Sequence, residues 1–220
     1  MRSAVAIVLA LANFSLVSAA PATKVLSDSV FENADTPTWK IAVVAGEDPV
    51  EFKGTIQDVM EQLKVDYPEY ARKAQKEIDA AIKAEEESGI DDAPSPEAQA
   101  LDRLQKRDHN LCWIFPSARE GPIREGIQYL RGIRGSLTVR AGPGACDRIS
   151  CSNDAGIFIC NDNRTPFYIP SWDNVANAAR ACNNECRRFC FGCGLDTAWW
   201  TSGQRFHDAN FNVILRKQSC

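Results

Sequence analysis

Nine cysteines are the residues of this 220-residue chain with the most evident chemistry, and four of them lie close together. Cys186, Cys190 and Cys193 follow the spacing C-x3-C-x2-C, and Cys182 precedes Cys186 by about one helical turn. Four thiolates at such spacing would suit a zinc ion, three would suit an iron–sulfur cluster, and the dithiol in CFGC would suit redox exchange. Structural disulfides are the fourth interpretation, and the compartment in which the chain folds decides among them.

The first 19 residues have the pattern of a secretory signal peptide. Arg2 supplies the positive charge, and the apolar run that follows it is too short to span a bilayer comfortably. Small residues favour cleavage after Ala19, because cleavage after Ala20 would leave Pro21 at the new N-terminus. The sequence therefore predicts a secreted, extracellular protein whose cysteines pair in an oxidising compartment, with no metal and no cofactor.

All of the cysteines lie in the second half of the chain. We expect four disulfides and one leftover thiol, unless the ninth cysteine pairs between chains. Eight cysteines alone allow 105 connectivities, so the sequence leaves the pairing open. The positions are Cys112, Cys146, Cys151, Cys160, Cys182, Cys186, Cys190, Cys193 and Cys220.

A dibasic pair, Lys106-Arg107, lies just before the first cysteine, where the charge of the chain also changes. Residues 20–107 carry 11 basic and 19 acidic side chains, whereas residues 108–220 carry 13 basic and 10 acidic ones. Kexin-type proteases of the secretory pathway cut after such pairs. We predict a signal peptide over 1–19, an acidic propeptide over 20–107 and a cysteine-rich mature domain over 108–220. A continuous two-part protein is the alternative.

The predicted propeptide reads as mainly helical. Ile56, Val59, Met60 and Leu63 recur at helical spacing, and a run rich in Ala, Glu and Lys follows them. The segment WKIAVV has the composition of one strand. Apolar residues are few, so we expect no strong core within this part alone. Its charge, opposite to that of the mature domain, would let it dock there, and a plain spacer is the alternative.

The cysteine-rich part alternates short helix and strand patterns. Ile123, Ile127 and Leu130 recur at helical spacing, and Ser171 would cap a second helix through PSWDNVANAARAC. Strand patterns occur in SLTVR, in both arms of CDRISCSNDAGIFICNDN, in PFYI, in TAWWT and in NFNVILRK. The order α-β-β-β-α-β-β predicts an α+β fold, namely a small disulfide-rich sandwich of an antiparallel sheet with two helices on one face.

The predicted hairpin also constrains two cysteines. A bend over residues 153–156 places Cys151 and Cys160 diagonally rather than opposite each other, roughly 7–8 Å apart. That separation exceeds comfortable disulfide reach. We therefore expect each cysteine to leave the hairpin and bridge another element, with Cys182 as a candidate partner.

Several segments resemble fungal secreted proteins of the necrosis-inducing-factor and killer-toxin kind. They are an early cysteine before a helix, GPGACDRISCSNDAGIFICNDN, a helix ending near Cys182, and the closing SGQRF and NFNVILRKQSC. The likeness covers most of residues 112–220 and nothing in 20–107, and NNECRRFCFGCG departs from the family pattern. The resemblance implies a secreted, disulfide-bonded α/β effector or toxin that is not an enzyme.

A catalytic alternative rests on histidine. His207, with Asp208 or Glu185, would serve as a general base in a small ribonuclease-like hydrolase. His109, the second histidine of the predicted mature domain, would lie at its processed terminus. The sequence therefore offers no second well-placed histidine.

Two other groups of residues suggest binding. Arg187 and Arg188 in CRRFC form the tightest basic–aromatic cluster and would serve as a contact loop. Trp199 and Trp200 would stack on sugars if exposed, as in a glycan-binding module, although alternation in a strand turns at least one of them inward. Asn163 begins an N-glycosylation sequon, NRT, which a proline follows.

Together these features predict a fungal secreted effector or toxin that acts by binding after dibasic maturation. Its target would be a host protein, a cell-wall glycan or a membrane channel. No nucleic-acid partner is expected, because the excess of basic residues in 108–220 is modest and acidic residues interleave with them. The small hydrolase and the glycan-binding module are the alternatives.

Overall fold

The computed structural model describes residues 28–32, 34–87, 109–191 and 198–220. The predicted signal peptide, with Ala19 and Ala20, lies outside the described residues. The dibasic pair Lys106-Arg107 and Cys193 lie outside them as well.

The described chain forms five helices and twelve strands. The helices are α1 (Asp28–Glu32), α2 (Ile56–Asp66), α3 (Pro68–Glu87), α4 (Glu120–Gly132) and α5 (Asp173–Cys186). The first six strands are β1 (Thr38–Ile41), β2 (Val50–Lys53), β3 (His109–Cys112), β4 (Ala118–Arg119), β5 (Gly135–Val139) and β6 (Ala145–Ser152). The others are β7 (Ala155–Asn161), β8 (Phe167–Ile169), β9 (Arg188–Cys190), β10 (Ala198–Thr201), β11 (Gly203–His207) and β12 (Phe211–Lys217).

These strands form three antiparallel sheets. The largest has the order β3-β11-β12-β7-β6, the second β2-β1-β5-β8 and the third β4-β10-β9. The predicted α+β class with antiparallel pairing is confirmed. The prediction of one sheet is wrong. Several strands that are only two to four residues long belong to the two smaller sheets.

The five-stranded sheet is covered on both faces. Ile157, Val213 and Leu215 lie in the main core, to which α4 and α5 also contribute, whereas Phe158 and Ile214 lie in a second cluster. Helix α4 contacts β6 and β7, and α5 contacts β3, β11 and β12. Burial on both faces explains the almost continuous apolar run of β7 and β12.

The N-terminal part shares this core. Strand β1 pairs with β5, and the ring centroid of Trp39 lies 4.1 Å from that of Trp172 on the far side of the predicted boundary. The rings of Phe31 and Phe158 make an edge contact with centroids 5.1 Å apart. The described part of 20–107 therefore buries its apolar side chains against the cysteine-rich part. The two strands that it adds go beyond the single strand expected from WKIAVV.

Helix α2 follows the sequence pattern closely. Four of its apolar residues, Ile56, Val59, Met60 and Leu63, are buried, as the helical spacing predicted. Thr55 caps the helix by accepting a hydrogen bond from the backbone N–H of Asp58, whose side chain accepts from the Thr55 N–H at 2.8 Å. This reciprocal pair is a capping box, which satisfies two backbone donors at the helix start.

The hairpin of β6 and β7 corrects the disulfide prediction. Ser152 pairs with Ala155, so the loop has only two residues, Asn153 and Asp154, with φ of 48° and 59°. Positive φ at both positions is what a type I′ hairpin turn requires. A register shift between residues 148 and 150 then brings Cys146, rather than the residue that follows it, opposite Cys160.

Three disulfides are seen among the described cysteines. Cys146 bonds to Cys160 within the hairpin, Cys151 bonds to Cys220 and Cys112 bonds to Cys186. The expectation that Cys151 leaves the hairpin is confirmed. The same expectation for Cys160 is wrong, because a bulge cannot be read from the residue spacing. The prediction of Cys182 as a bridge partner is also wrong, since Cys182 is a buried free thiol. Cys190 is disulfide-bonded too.

Candidate binding surface

The smallest sheet carries a surface of aromatic and arginine side chains. We define the aromatic–arginine surface as Trp113, Arg119, Arg187, Arg188, Phe189, Phe191, Trp199 and Trp200. Phe189 pairs with Trp199, and Trp200 lies between Arg188 and Arg119 in the register. Because directly paired residues share a face, the sheet holds an aromatic face and a mixed face of one tryptophan with two arginines.

The aromatic face is unusually exposed. Phe191 is 84% exposed, Trp199 44% and Phe189 41%, which makes them three of the seven large hydrophobic side chains that are exposed in the described chain. They are also contiguous, since the Phe189 ring centroid lies 4.7 Å from that of Phe191 and 5.3 Å from that of Trp199. A connected apolar patch indicates contact with a partner more than scattered apolar residues do.

A guanidinium group lies over each of the three tryptophans. The Arg188 guanidinium carbon is 4.7 Å from the Trp113 ring centroid, and that of Arg187 is 5.2 Å from the Trp199 ring. The third pair is Arg119 over Trp200, at 5.9 Å. Each cation–π contact of this kind contributes about 0.5–1 kcal/mol at an exposed site. The arginines are therefore held beside the aromatic rings.

The frame beneath the surface is tied to the core. The Cys112–Cys186 disulfide joins β3 to the end of α5, and Trp113 and Arg187 are the residues that follow these two cysteines. The backbone N–H of Trp113 donates to the Ser202 carbonyl oxygen at 2.9 Å. The positions of both side chains are thus fixed by covalent and hydrogen-bonded anchors.

A polar cleft lies between α3, α4 and α5 and shares Arg187 with the surface. Glu120, Arg124, Arg180 and Asn183 contribute to its lining. The buried Glu120 carboxylate accepts a hydrogen bond of 2.9 Å from Asn183 and lies 3.9 Å from the Arg187 guanidinium. Since a buried carboxylate needs such partners, Glu120 and Arg187 stabilise each other's position.

The surface unites two predictions that the sequence kept apart. Arg187 and Arg188 were predicted as a contact loop, and Trp199 and Trp200 were considered for glycan stacking. The pairing of β9 with β10 places Trp200 beside Arg188, and the Arg187 guanidinium lies over the Trp199 ring. The sequence did not identify two further members of the surface, Trp113 and Arg119, which lie in an earlier segment of the chain. The only signal for them is a bulky aromatic directly after the first cysteine.

Of the two carboxylates that the hydrolase alternative paired with His207, Asp208 lies beside it. Its Nδ1 lies 2.9 Å from the Asp208 carboxylate, and its ring stacks on Phe211. The His109 ring stacks on Phe206, which alternation places on the opposite face of β11 from His207. Glu185, the other proposed carboxylate partner, accepts a hydrogen bond from Asn110.

The side-chain nitrogen of Asn163 is engaged in the folded protein. Nδ2 donates to the side-chain oxygen of Asn161 at 3.0 Å and to the carbonyl oxygens of Ala209 and Asn210, each at 3.2 Å. A glycan on this atom would remove those hydrogen bonds. The sequon is thus part of the packing between two loops.

The described cysteines of the cluster do not present a set of free thiolates. Cys186 is bridged to Cys112, and burial raises the pKa of Cys182 to about 12. Within the ranges that the structure describes, no group of three His, Cys, Asp or Glu residues is arranged to hold a metal ion. None of the helices in those ranges is long and apolar enough to cross a membrane.

Comparison with family models, with curated proteins and with solved structures finds no match to this chain. The resemblance to necrosis-inducing-factor and killer-toxin proteins thus stays a prediction.

Proposed function

We propose that this protein is a secreted, disulfide-stabilised effector or toxin that acts by binding, and that its contact region is the aromatic–arginine surface. The observation that carries the proposal is the contiguous exposed cluster of Phe189, Phe191 and Trp199, with the Arg187 guanidinium held over the Trp199 ring. Aromatic and arginine side chains are the types that dominate binding energy at protein interfaces. The target is a host protein, a cell-wall glycan or a membrane channel.

Secretion and processing belong to the same proposal. The signal-peptide pattern directs the chain to an oxidising compartment, and the disulfides are compatible with that location. A kexin-type protease would cut after Arg107, so that the cysteine-containing chain begins at Asp108.

The test is a dose–response of plant or fungal cell damage for purified variants. Arg188→Glu reverses an exposed charge, and Trp199→Ala removes an exposed ring without disturbing the core. We expect each to weaken the response, Trp199→Ala by roughly thirtyfold if this ring is a hot spot worth about 2 kcal/mol. Arg187 is less suitable, because glutamate there would face the buried Glu120.

Matched controls separate the surface from general effects. Arg164→Glu makes the same charge change at an exposed arginine elsewhere, and Tyr168→Ala removes an exposed ring from β8. Both should act like wild type. Unchanged activity of Arg188→Glu and Trp199→Ala would contradict the proposal.

The alternatives make different predictions in the same assay. A folded His207→Ala protein without activity would favour the ribonuclease-like hydrolase. Binding to a glycan array that is lost in Trp199→Ala would favour the glycan-binding module, for which the exposure of Trp199 is the supporting observation.

A further inference from the structure

We infer that residues 28–87, the N-terminal part, are a permanent component of the secreted protein rather than a propeptide that leaves it. After a cut at Arg107 they stay bound to the cysteine-rich part as a second chain, with no covalent link, because no cysteine precedes Cys112. This goes beyond the proposed contact region, since it concerns which chains the active protein contains.

The N-terminal part contributes to both apolar clusters of the fold. Phe31 is fully buried, and its ring centroid lies 5.5 Å from that of Phe115 and 5.1 Å from that of Phe158. In the main core, the buried apolar residues of β1 and α2 lie with those of α4 and α5. Departure of the N-terminal part would return these apolar surfaces of the cysteine-rich part to water, and apolar burial is the main favourable contribution to most associations between chains.

Strand β1 completes a sheet to which both parts contribute. Residues 38–41 pair antiparallel with residues 135–138 of β5, in a sheet of order β2-β1-β5-β8. The two strands approach closely at Gly135, where a Cβ would lie 2.3 Å from the carbonyl oxygen of Lys40. Without β1, this side of β5 would become an open strand edge with unpaired backbone groups.

Three ion pairs link the described residues of the two parts, and in each the N-terminal part supplies the carboxylate. The pairs are Asp28–Arg216 at 2.9 Å, Asp35–Arg140 at 3.3 Å and Glu85–Arg124 at 3.8 Å. Arg216 is only 6% exposed, and its guanidinium carbon also lies 4.3 Å from the Phe31 ring centroid. Because a buried charge needs such partners, loss of the N-terminal part would leave Arg216 without this carboxylate and this ring.

The experiment is size-exclusion chromatography of the cut protein, with mass analysis of the chains that elute. A variant of the full chain with a site-specific protease sequence inserted after Arg107 folds before it is cut and supplies cut protein whether or not a cell protease acts there. We expect the two chains to co-elute, also at about 1 M salt, where exposed charges are screened but apolar burial persists. Elution of the cysteine-rich chain alone would overturn the inference.

Phe31→Ala tests the interface without changing the sequence of the cysteine-rich part. The Kd of the two cut chains should rise by about a hundredfold or more, because truncating a buried phenylalanine is a costly core change. Phe191→Ala is the matched control, since it removes a ring that is 84% exposed, and it should leave the Kd as in wild type. Equal Kd values for Phe31→Ala and wild type would contradict the interface. If Phe31→Ala is not secreted, co-elution of the wild-type chains still decides.

Failure of this inference is distinguishable from failure of the proposed function. If cut wild type loses the N-terminal part while Arg188→Glu and Trp199→Ala weaken cell damage, only the two-chain inference falls. If the two chains co-elute while those variants keep full activity, only the proposed contact region falls.

Discussion

Replacing Trp39 by alanine tests whether the predicted propeptide remains part of the secreted protein. Trp39 is fully buried, its ring packs on Trp172, and its indole N–H donates to the Gly54 carbonyl oxygen at 2.7 Å. Truncating a buried tryptophan costs about 3–5 kcal/mol, against a total stability of about 5–15 kcal/mol for a typical domain. If residues 28–87 stay bound after processing, Trp39→Ala therefore removes a large share of the stability.

The assay is urea unfolding of the protein recovered from culture medium. With a slope of about 2 kcal/mol per molar urea, we expect the midpoint to fall by about 2 M. Val65→Ala, a change at an exposed position of α2, should shift the midpoint little. A double-mutant cycle with Trp172→Ala should show coupling, since the two rings touch.

A cut after Arg107 would leave the two parts without a covalent link, because the chain has no cysteine before Cys112. The unfolding midpoint of the cut protein should then rise with protein concentration, as it does for any associating pair. Identical midpoints for wild type and Trp39→Ala would refute this reasoning and show that the mature protein consists of the cysteine-rich part alone.

Two further predictions concern individual side chains. In native protein at pH 8, Cys182 should resist alkylation and react only after unfolding. Burial raises the pKa of Cys182 to about 12 from a usual 9.0. The contribution of the buried thiol to the stability of the fold is therefore complete below about pH 9 and is lost as pH rises towards 12. Cys182→Ala should remove this alkaline loss, and rapid labelling of the native thiol would contradict the burial argument. Asn163 should carry no glycan, because its Nδ2 makes three hydrogen bonds in the folded protein. Intact mass measured before and after enzymatic deglycosylation checks this, and a mass loss that Asn163→Gln abolishes would contradict it.

Local patterns in the sequence predicted the local structure well. The period of Ile56, Val59, Met60 and Leu63 indicated α2, since a helix buries every third or fourth residue and these four are buried. The strand patterns on either side of the predicted bend likewise indicated β6 and β7. In both cases the residues that determine the element lie within a few positions of one another.

The elements that were missed depend on distant contacts. Strand β4 has two residues and β9 has three, too few for any period to be recognised. The contact of Trp39 with Trp172 joins residues far apart in sequence, and nothing in the composition around Trp39 distinguishes a docked segment from a removable one. The same limit applies to the disulfides, because the bulge that aligns Cys146 with Cys160 leaves no pattern in the spacing.

The binding surface was predicted only as separate pieces for the same reason. The segment CRRFC indicated Arg187 and Arg188, and the pair Trp199-Trp200 indicated exposed rings, but only the register of β9 against β10 joins them. Trp113 and Arg119 enter through β3 and β4, which the sequence did not predict as strands.

The Cys112–Cys186 disulfide links the stability of the fold to the geometry of the surface. Gly203 of β11 lies directly against it, since a Cβ at this position would be 2.7 Å from the sulfur of Cys186 and 3.0 Å from that of Cys182. The sheet can therefore approach α5 only because residue 203 is glycine. Loss of a native disulfide costs about 2–5 kcal/mol in a small secreted domain. Here the residues that follow the two cysteines, Trp113 and Arg187, would also lose their common anchor, so the surface depends on this bridge as well as on its own aromatic contacts.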